Sequence, residues 1–266
     1  MTKLDAIKEL RGNYPILKPG HVWLAGAGPG DPGLLTLDAV AGLLQADVIL
    51  HDALIDSRVL ALAGPQSTLE YVGKRAGQPS MRQAEISSRI IELAHANKRV
   101  VRLKGGDPLI FGRGGDEAMA LAAAGIPYRI VSGVTAGLAA LAAAFIPATL
   151  RGVNQAIIYA AGHSGTDDAL DWTALAKTGQ PIVVYMAMRN MSSIAEALIR
   201  GGLAGATPAA VIMSATTAEE RIVVSSLARL TEDIRAVGIQ LPGLLVVGEI
   251  VAARDRLIQR MAEQGA

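Results

Sequence analysis

The first half of the chain alternates short apolar runs with segments whose apolar positions recur at helical spacing. Five runs predict β-strands: 22–26, 47–52, 68–73, 99–104 and 128–133. Helices are predicted between them, at 34–45, around 56–63, up to near Asn97, and at 114–125. Regular alternation of strand and helix predicts an α/β fold with a mostly parallel sheet covered on both faces.

The second half has a different order of elements. Strands are predicted at 155–162, 181–188, 207–215, 221–226 and 243–251, and helices at 191–201, 226–237 and 252–262. The strand at 221–226 follows its predecessor too closely for a helical crossover, which predicts an antiparallel pair and a mixed sheet. We therefore expect two α/β domains, at 21–133 and 134–266, after an N-terminal extension at 1–20.

The apolar stretch between Arg129 and Arg151 carries no charge. It is mostly Ala and Gly and is interrupted by Pro147, whereas a membrane-spanning helix normally needs about 20 strongly apolar residues. We expect a buried helix at the domain junction and no membrane partner. Residues 1–20 lack a continuous apolar core, so no secretory signal is expected.

Composition narrows the possible functions. The 266 residues have a formal net charge of +1 and only 3% aromatic side chains, which argues against a nucleic-acid partner. The absence of cysteine excludes disulfides and thiolate chemistry, and fits a reducing, cytoplasmic location. The four histidines have no metal-ligand spacing, so no metal is expected.

Four polar or glycine-rich loops follow strands of the first half. They are GAGPGDPG (26–33), HDAL (51–54), GKRAGQ (73–78) and KGGDPLIFGRGGDE (104–117). Ligands of open α/β sheets bind outside the carboxyl ends of the strands, so these loops predict one shared site.

Each loop also has a plain structural interpretation. Asp31 replaces the last glycine of a dinucleotide-binding pattern, so the first loop could be only a tight turn. Asp52 could cap the next helix, and Asp107 could cap its own turn. Arg113 is harder to explain in this way, because a cation at a helix N-terminus is unfavourable and an anionic ligand would account for it.

Taken in order, these loops resemble the tetrapyrrole methylases that act on uroporphyrinogen III. The resemblance rests on GAGPGDPGLLT, a strand ending in Asp-Ala-Leu, GKRAG and RLKGGDPLIFGRGGD, and it extends from about Val22 to Val251. It implies two α/β domains with the active site in a cleft between them, and a homodimer.

The resemblance further implies S-adenosyl-L-methionine as cofactor, released as S-adenosyl-L-homocysteine. The positions that match its binding residues are Pro29, Gly105, Gly106, Asp107, Ile110, Thr135, Ala136, Met186 and Ala215.

The implied reaction adds methyl groups to C2 and C7 of uroporphyrinogen III and gives precorrin-2, for sirohaem, cobalamin or haem d1 synthesis. Asp52 matches the family's proton acceptor and Lys74 its proton donor. Arg113, Asp116 and Arg151 match groups that face the tetrapyrrole. The substrate's eight carboxylates lead us to expect cationic contacts from Arg75 and Arg189 as well.

The chain departs from the family pattern at several positions. Leu150 stands where relatives usually have His, and Asp116, Leu109, Ser132 and Ala215 are further departures. Alternative hypotheses are a tetrapyrrole methylase acting on a later corrinoid or on rRNA, and a nucleotide-binding protein without catalysis.

Overall fold

The computed structural model describes residues 3–73, 81–163, 170–239 and 241–264. It contains ten α-helices, a short 3-10 helix (Pro32–Leu34) and ten strands in these ranges. The helices are α1 (Lys3–Arg11), α2 (Leu37–Gln45), α3 (Ser57–Leu60), α4 (Gln83–His95), α5 (Gly114–Ala123), α6 (Ala136–Ala143), α7 (Trp172–Lys177), α8 (Met191–Arg200), α9 (Leu230–Val237) and α10 (Ala253–Glu263). The strands are β1 (Val22–Gly26), β2 (Val48–His51), β3 (Thr68–Tyr71), β4 (Val100–Lys104), β5 (Tyr128–Val131), β6 (Ile158–Ala161), β7 (Ile182–Tyr185), β8 (Pro208–Met213), β9 (Arg221–Ser226) and β10 (Gly243–Val247).

The chain divides into two compact units that meet in sequence at Ala136 and Gly137. The first unit contains a five-stranded sheet in the order β3-β2-β4-β1-β5, which we call sheet 1. All of its strand pairs are parallel. The carboxyl ends of its five strands therefore share one edge.

Side chains of β1 alternate between two cores on opposite faces of sheet 1. Val22 and Leu24 belong to the core formed with α4 and α5, whereas Trp23 and Ala25 belong to the core formed with α2. All five residues of β1 are buried, which is the continuous apolar run expected for a strand covered on both faces.

The second unit contains a five-stranded sheet in the order β6-β7-β10-β8-β9, which we call sheet 2. β6 and β7 are parallel, and the other three pairs are antiparallel. The predicted antiparallel pairing of 221–226 is confirmed, and so is the mixed sheet. It follows that β6, β7 and β8 end at the same edge, while β9 and β10 end at the opposite one.

The uncharged stretch after Arg129 forms α6, which is only eight residues long. Four of its residues are buried, in agreement with the predicted buried helix. Among the described residues, no helix combines the length and the apolar character needed to cross a membrane.

Candidate active site

Three loops meet at the carboxyl edge of sheet 1 with backbone packed directly against backbone. A Cβ added to Gly133 would lie 2.2 Å from the carbonyl oxygen of Gly106, and one added to Gly26 would lie 2.5 Å from the same oxygen. Side chains at these positions would push the loops after β1, β4 and β5 apart. Glycine is therefore required here for close approach between loops.

A pair of backbone hydrogen bonds joins the first and fourth of the predicted loops. Gly106 N–H donates to the Gly28 carbonyl at 2.7 Å, and Gly28 N–H donates to the Gly106 carbonyl at 3.2 Å. Both glycines have positive φ angles, +70° and +66°, which other residues rarely adopt. The loop GAGPGDPG is thus held by a specific partner and is more than an isolated tight turn.

Asp107 connects two of these loops through its carboxylate. Its Oδ1 accepts a hydrogen bond from Leu109 N–H at 2.8 Å, and its Oδ2 accepts one from Gly133 N–H at 3.0 Å. The local turn that the sequence suggested is present, and the second bond adds a link to the loop after β5. Asp107 therefore fixes the backbone of this edge, whatever else its oxygens bind.

Asp52 directly follows β2 at the same edge. Its Oδ1 accepts a hydrogen bond from Leu54 N–H at 3.2 Å. It does not cap the next helix, because Asp56 occupies the N-cap of α3 and accepts from Arg58 N–H. The capping interpretation of Asp52 is therefore wrong, and its half-buried carboxylate remains available for chemistry at the sheet edge.

Arg113 has a partner that the sequence argument did not anticipate. It is the N-cap residue of α5, in left-handed conformation with φ +59°, and its guanidinium pairs with the Asp116 carboxylate at 2.9 Å. Asp116 compensates the charge of this cation and so explains it without a ligand, while the anionic ligand suggested by the sequence stays a prediction. Both side chains are more than half exposed, so a bound carboxylate can still compete for Arg113.

A buried ionic cluster lies at the end of β4, and the sequence analysis did not select its members. Arg102 Nε and Lys104 Nζ each lie 3.1 Å from Glu117 Oε1, and all three side chains are at most 5% exposed. Burial, and next the positive charge of Arg102, lower the pKa of Lys104. The sequence already indicated such a cluster, because Arg102 and Lys104 lie in a strand covered on both faces and buried cations require a buried anion.

The remaining candidates of the first unit lie close to this edge. Thr135 is buried and Ala136 begins α6. Pro29 is half-buried in the loop after β1. Ile110 is 39% exposed, beside Phe111, whose φ is +50°. Lys74 and Arg75 lie outside the described residues.

In the second unit, two cofactor candidates follow strands that end at the same edge of sheet 2. Met186 comes directly after β7, has a φ of +55° and is 49% exposed. Ala215 follows β8 between Ser214 and Thr216, whose φ angles are +47° and +66°. Left-handed backbone at non-glycine residues is strained and tends to occur at functional sites.

The two arginine candidates of the second unit are placed differently. Arg189 is exposed in the turn between β7 and α8, at the same edge as Met186. Arg151 is exposed in a turn between α6 and β6, where Asn154 accepts from Leu150 N–H at 2.9 Å and donates to Ala148 O at 2.9 Å. That turn is therefore held by side-chain hydrogen bonds around Leu150, the residue at which the sequence departs from the expected pattern.

Comparison with known proteins identifies the family to which this α/β fold belongs. Residues 21–231 match the tetrapyrrole (corrin/porphyrin) methylases, and the chain belongs to this family. It is 47% identical over 254 residues to a uroporphyrinogen-III C-methyltransferase from a Sinorhizobium species, covering 94% of this chain and 91% of that protein. It is 46% identical to siroheme synthase 2 of Aeromonas hydrophila, but spans only half of that protein.

Solved structures agree with this assignment. A uroporphyrin-III C-methyltransferase from Thermus thermophilus, complexed with S-adenosyl homocysteine, has a TM-score of 0.77 and 39% identity, covering 88% of this chain and 99% of that one. A cobalt precorrin-4 methyltransferase has a TM-score of 0.79 at 28% identity, covering 87% and 96%. The expected family and fold class are thus confirmed.

Proposed function

We propose that this protein transfers methyl groups from S-adenosylmethionine to C2 and C7 of uroporphyrinogen III and produces precorrin-2. The observation that carries the proposal is the 47% identity to a uroporphyrinogen-III C-methyltransferase across 94% of this chain. The loops at the carboxyl edge of sheet 1 supply the residue types that such a reaction needs.

The residues present fit the cofactor. The methionine chain and the adenine ring of this cofactor need apolar contacts and backbone hydrogen bonds, and Ile110 and Met186 offer exposed apolar surface on strained loops. We propose that they bind it together with Pro29, the Gly105–Asp107 turn, Thr135, Ala136 and Ala215. When bound, the cofactor supplies an electrophilic methyl group on a sulfonium.

The chain's own residues then have two tasks. Asp52 is proposed to accept the proton that the macrocycle loses after each methyl transfer. Lys74 is proposed to donate a proton to the macrocycle and to take one back, so that one proton is lost for each methyl group gained. Each residue must come within hydrogen-bond reach of the substrate. Arg75, Arg113, Arg151 and Arg189, together with Asp116, are proposed to orient the substrate. Charge-assisted contacts of this kind contribute about 1.5–3 kcal/mol each.

We further propose that the protein works as a cytoplasmic homodimer. The absence of cysteine from the 266 residues is compatible with a reducing compartment. Size measurement in solution tests the dimer directly, and a monomer at working concentration would contradict it.

The decisive experiment separates cofactor binding from methyl transfer. Purified protein is titrated calorimetrically with S-adenosylmethionine and then incubated anaerobically with uroporphyrinogen III, and the product mass is measured. We expect saturable binding and two added methyl groups. Binding without a methylated product would contradict the substrate and favour a later corrinoid, whereas no binding would contradict the proposal as a whole.

The division of roles is tested with Arg113→Leu and Arg151→Leu. Each variant should bind S-adenosylmethionine within twofold of the wild type and lose methylation. Arg229→Leu is the matched control, because Arg229 is also an exposed N-cap arginine paired with a carboxylate on its own helix, and it follows β9 at the opposite edge of sheet 2. Comparable loss of cofactor binding in Arg113→Leu or Arg151→Leu would refute this division.

A further inference from the structure

The ionic cluster at the end of β4 is the most deeply buried group of charges among the described residues. Arg102 is 4% exposed, Lys104 3% and Glu117 0%. Removing ions from water is costly, and replacing a buried ion pair by apolar residues is often neutral or stabilising. A cluster of this kind is therefore weak support for stability and calls for another explanation.

A single oxygen of Glu117 organises the cluster. Its Oε1 accepts hydrogen bonds from Arg102 Nε at 3.1 Å, from Lys104 Nζ at 3.1 Å and from Gln83 Nε2 at 3.0 Å. Its Oε2 has no hydrogen-bond partner within the described part of the chain. Glu117 thus connects α4, α5 and β4 at one point.

The guanidinium of Arg102 links Glu117 to Asp52. Its NH1 donates to the Leu103 carbonyl at 3.0 Å, and its NH2 lies 3.7 Å from Asp52 Oδ2. With Nε fixed on Glu117, the planar guanidinium cannot rotate without losing the Leu103 bond. The buried contacts of Arg102 with Glu117 and Leu103 therefore determine its distance from Asp52.

We propose that Glu117 is a positioning residue for methyl transfer, because it fixes Arg102 beside Asp52. This inference rests on the proposed function, in which Asp52 is the proton acceptor. Glu117 itself lies too deep to touch a substrate, so it acts through Arg102. Its negative charge also offsets one of the two cations, Arg102 and Lys104, that would otherwise face Asp52 uncompensated.

The charged groups around Glu117 determine how neutralising it would change the electrostatic environment of Asp52. Arg102 and Lys104 face it from β4, Asp52 faces the cluster from the end of β2, and the helix α4 contributes the neutral Gln83. On α5 itself, the Arg113–Asp116 pair is exposed and compensated. With Glu117 neutralised, the excess of positive charge next to Asp52 rises from one cation to two, which favours the ionised form of Asp52.

The experiment measures Asp52 directly. The carbon-13 signal of its carboxyl group, assigned with Asp52→Asn, is titrated in the wild type and in Glu117→Gln without substrate. We expect the titration midpoint to fall by about half a pH unit or more in the variant. Glu92→Gln is the matched control, since Glu92 is an exposed, ion-paired glutamate on α4, and it should leave the midpoint unchanged.

Kinetics with S-adenosylmethionine and uroporphyrinogen III provide the second measurement. Glu117→Gln should lower kcat at least tenfold and change the KM for S-adenosylmethionine less than twofold. Glu117→Asp keeps the charge but shortens the side chain, so it should retain the wild-type midpoint with a lower kcat. If Glu117→Gln does not fold, the pair Lys104→Met/Glu117→Gln replaces it, with a wild-type midpoint and a reduced kcat.

The outcomes separate the two proposals. Wild-type protein that binds the cofactor but does not methylate uroporphyrinogen III refutes the proposed function, while the Asp52 titration still tests the contact with Glu117. An unchanged midpoint together with an unchanged kcat in Glu117→Gln overturns the positioning role. A loss of thermal stability alone, with both readouts unchanged, would show that Glu117 is only structural.

Discussion

The two units contain sheets of equal size that differ in what they bury. In the first unit, Arg102, Lys104 and Glu117 lie within the interior at the end of a parallel strand. In the second unit, one large core consists of apolar side chains from β7, β8 and β10 and from helices α7, α8 and α9. The comparison suggests that the first unit gives up some stability to hold charged groups, whereas the second is built mainly for stability.

Strand direction explains where these differences arise. All five strands of sheet 1 end at one edge, so five loops can supply functional groups there. In sheet 2 only β6, β7 and β8 end at a common edge. This agrees with the larger number of candidate residues in the first unit.

The largest expected effect concerns the apolar core of the second unit. Leu245 is fully buried on β10, and Leu245→Ala should lower the free energy of unfolding by about 4 kcal/mol through lost burial and a residual cavity. The exposed Leu257→Ala should cost less than about 1 kcal/mol.

The two tryptophans allow this prediction to be assigned to a unit. Trp23 is buried in the first unit, and Trp172 packs against the core of the second. Urea unfolding followed by fluorescence in the single-tryptophan variants Trp23→Phe and Trp172→Phe reports each unit separately. A change of less than about 1 kcal/mol in the Trp172 signal would contradict the role assigned to this core.

The second prediction concerns the crowded loops of sheet 1. Gly133→Ala places a Cβ 2.2 Å from the Gly106 oxygen, so the backbone must shift. We expect a loss of about 3 kcal/mol in stability, at the upper end of typical overpacking costs, and at least a tenfold loss of S-adenosylmethionine affinity by calorimetry. Gly115→Ala is the control, because nothing lies within 4 Å of its added Cβ.

Gly133→Ala also tests whether the destabilisation is confined to the first unit. The Trp23 signal should record the destabilisation, since the loops after β1, β4 and β5 all belong to the first unit. If Gly133→Ala bound the cofactor as tightly as Gly115→Ala, the close packing of the three loops would not be needed for the site.

Much of the fold follows from the sequence pattern, because buried strands give clear apolar runs. The predicted bounds of β1 and β9 agree with the structure. Helices α1 and α7 were not predicted. The first is polar on average, and the second is only six residues long and begins at the N-cap Asp171, so neither produces a long amphipathic pattern.

The site was predictable in part. The loops that carry Asp52 and Asp107 were located from their positions after strands, and the structure places both at one edge. The link between Arg102 and Glu117 was missed because it joins residues 15 positions apart through the tertiary fold. Likewise, the pairing of Arg113 with Asp116 was missed although the start of α5 at Gly114 was predicted, because a helix start does not specify which side chains pair across it.

The smallest expected effect tests whether ordinary ion pairs of the first unit behave differently from the buried cluster. Arg99 donates to Asp47 through its backbone N–H at 2.8 Å and its Nε at 3.1 Å. These bonds, the side-chain bond first, lower the pKa of Asp47. Because the pair is partly exposed, Asp47→Asn should cost only about 1 kcal/mol at pH 7.

The pH dependence of this pair has a definite sign. A carboxyl whose pKa is lower in the folded state contributes its full stability above its unfolded pKa of about 4, and loses it as the pH falls through the folded value. The stability difference between wild type and Asp47→Asn, measured by urea unfolding from pH 7 to pH 3, should therefore be constant above about pH 5 and shrink below pH 4. The exposed Asp255→Asn serves as the control and should show little difference at any pH. If the stability difference between wild type and Asp47→Asn grew on acidification, Asp47 would not be stabilised as an anion. Partly exposed ion pairs of the first unit would then resemble its buried cluster, whose presence is not explained by a gain in stability.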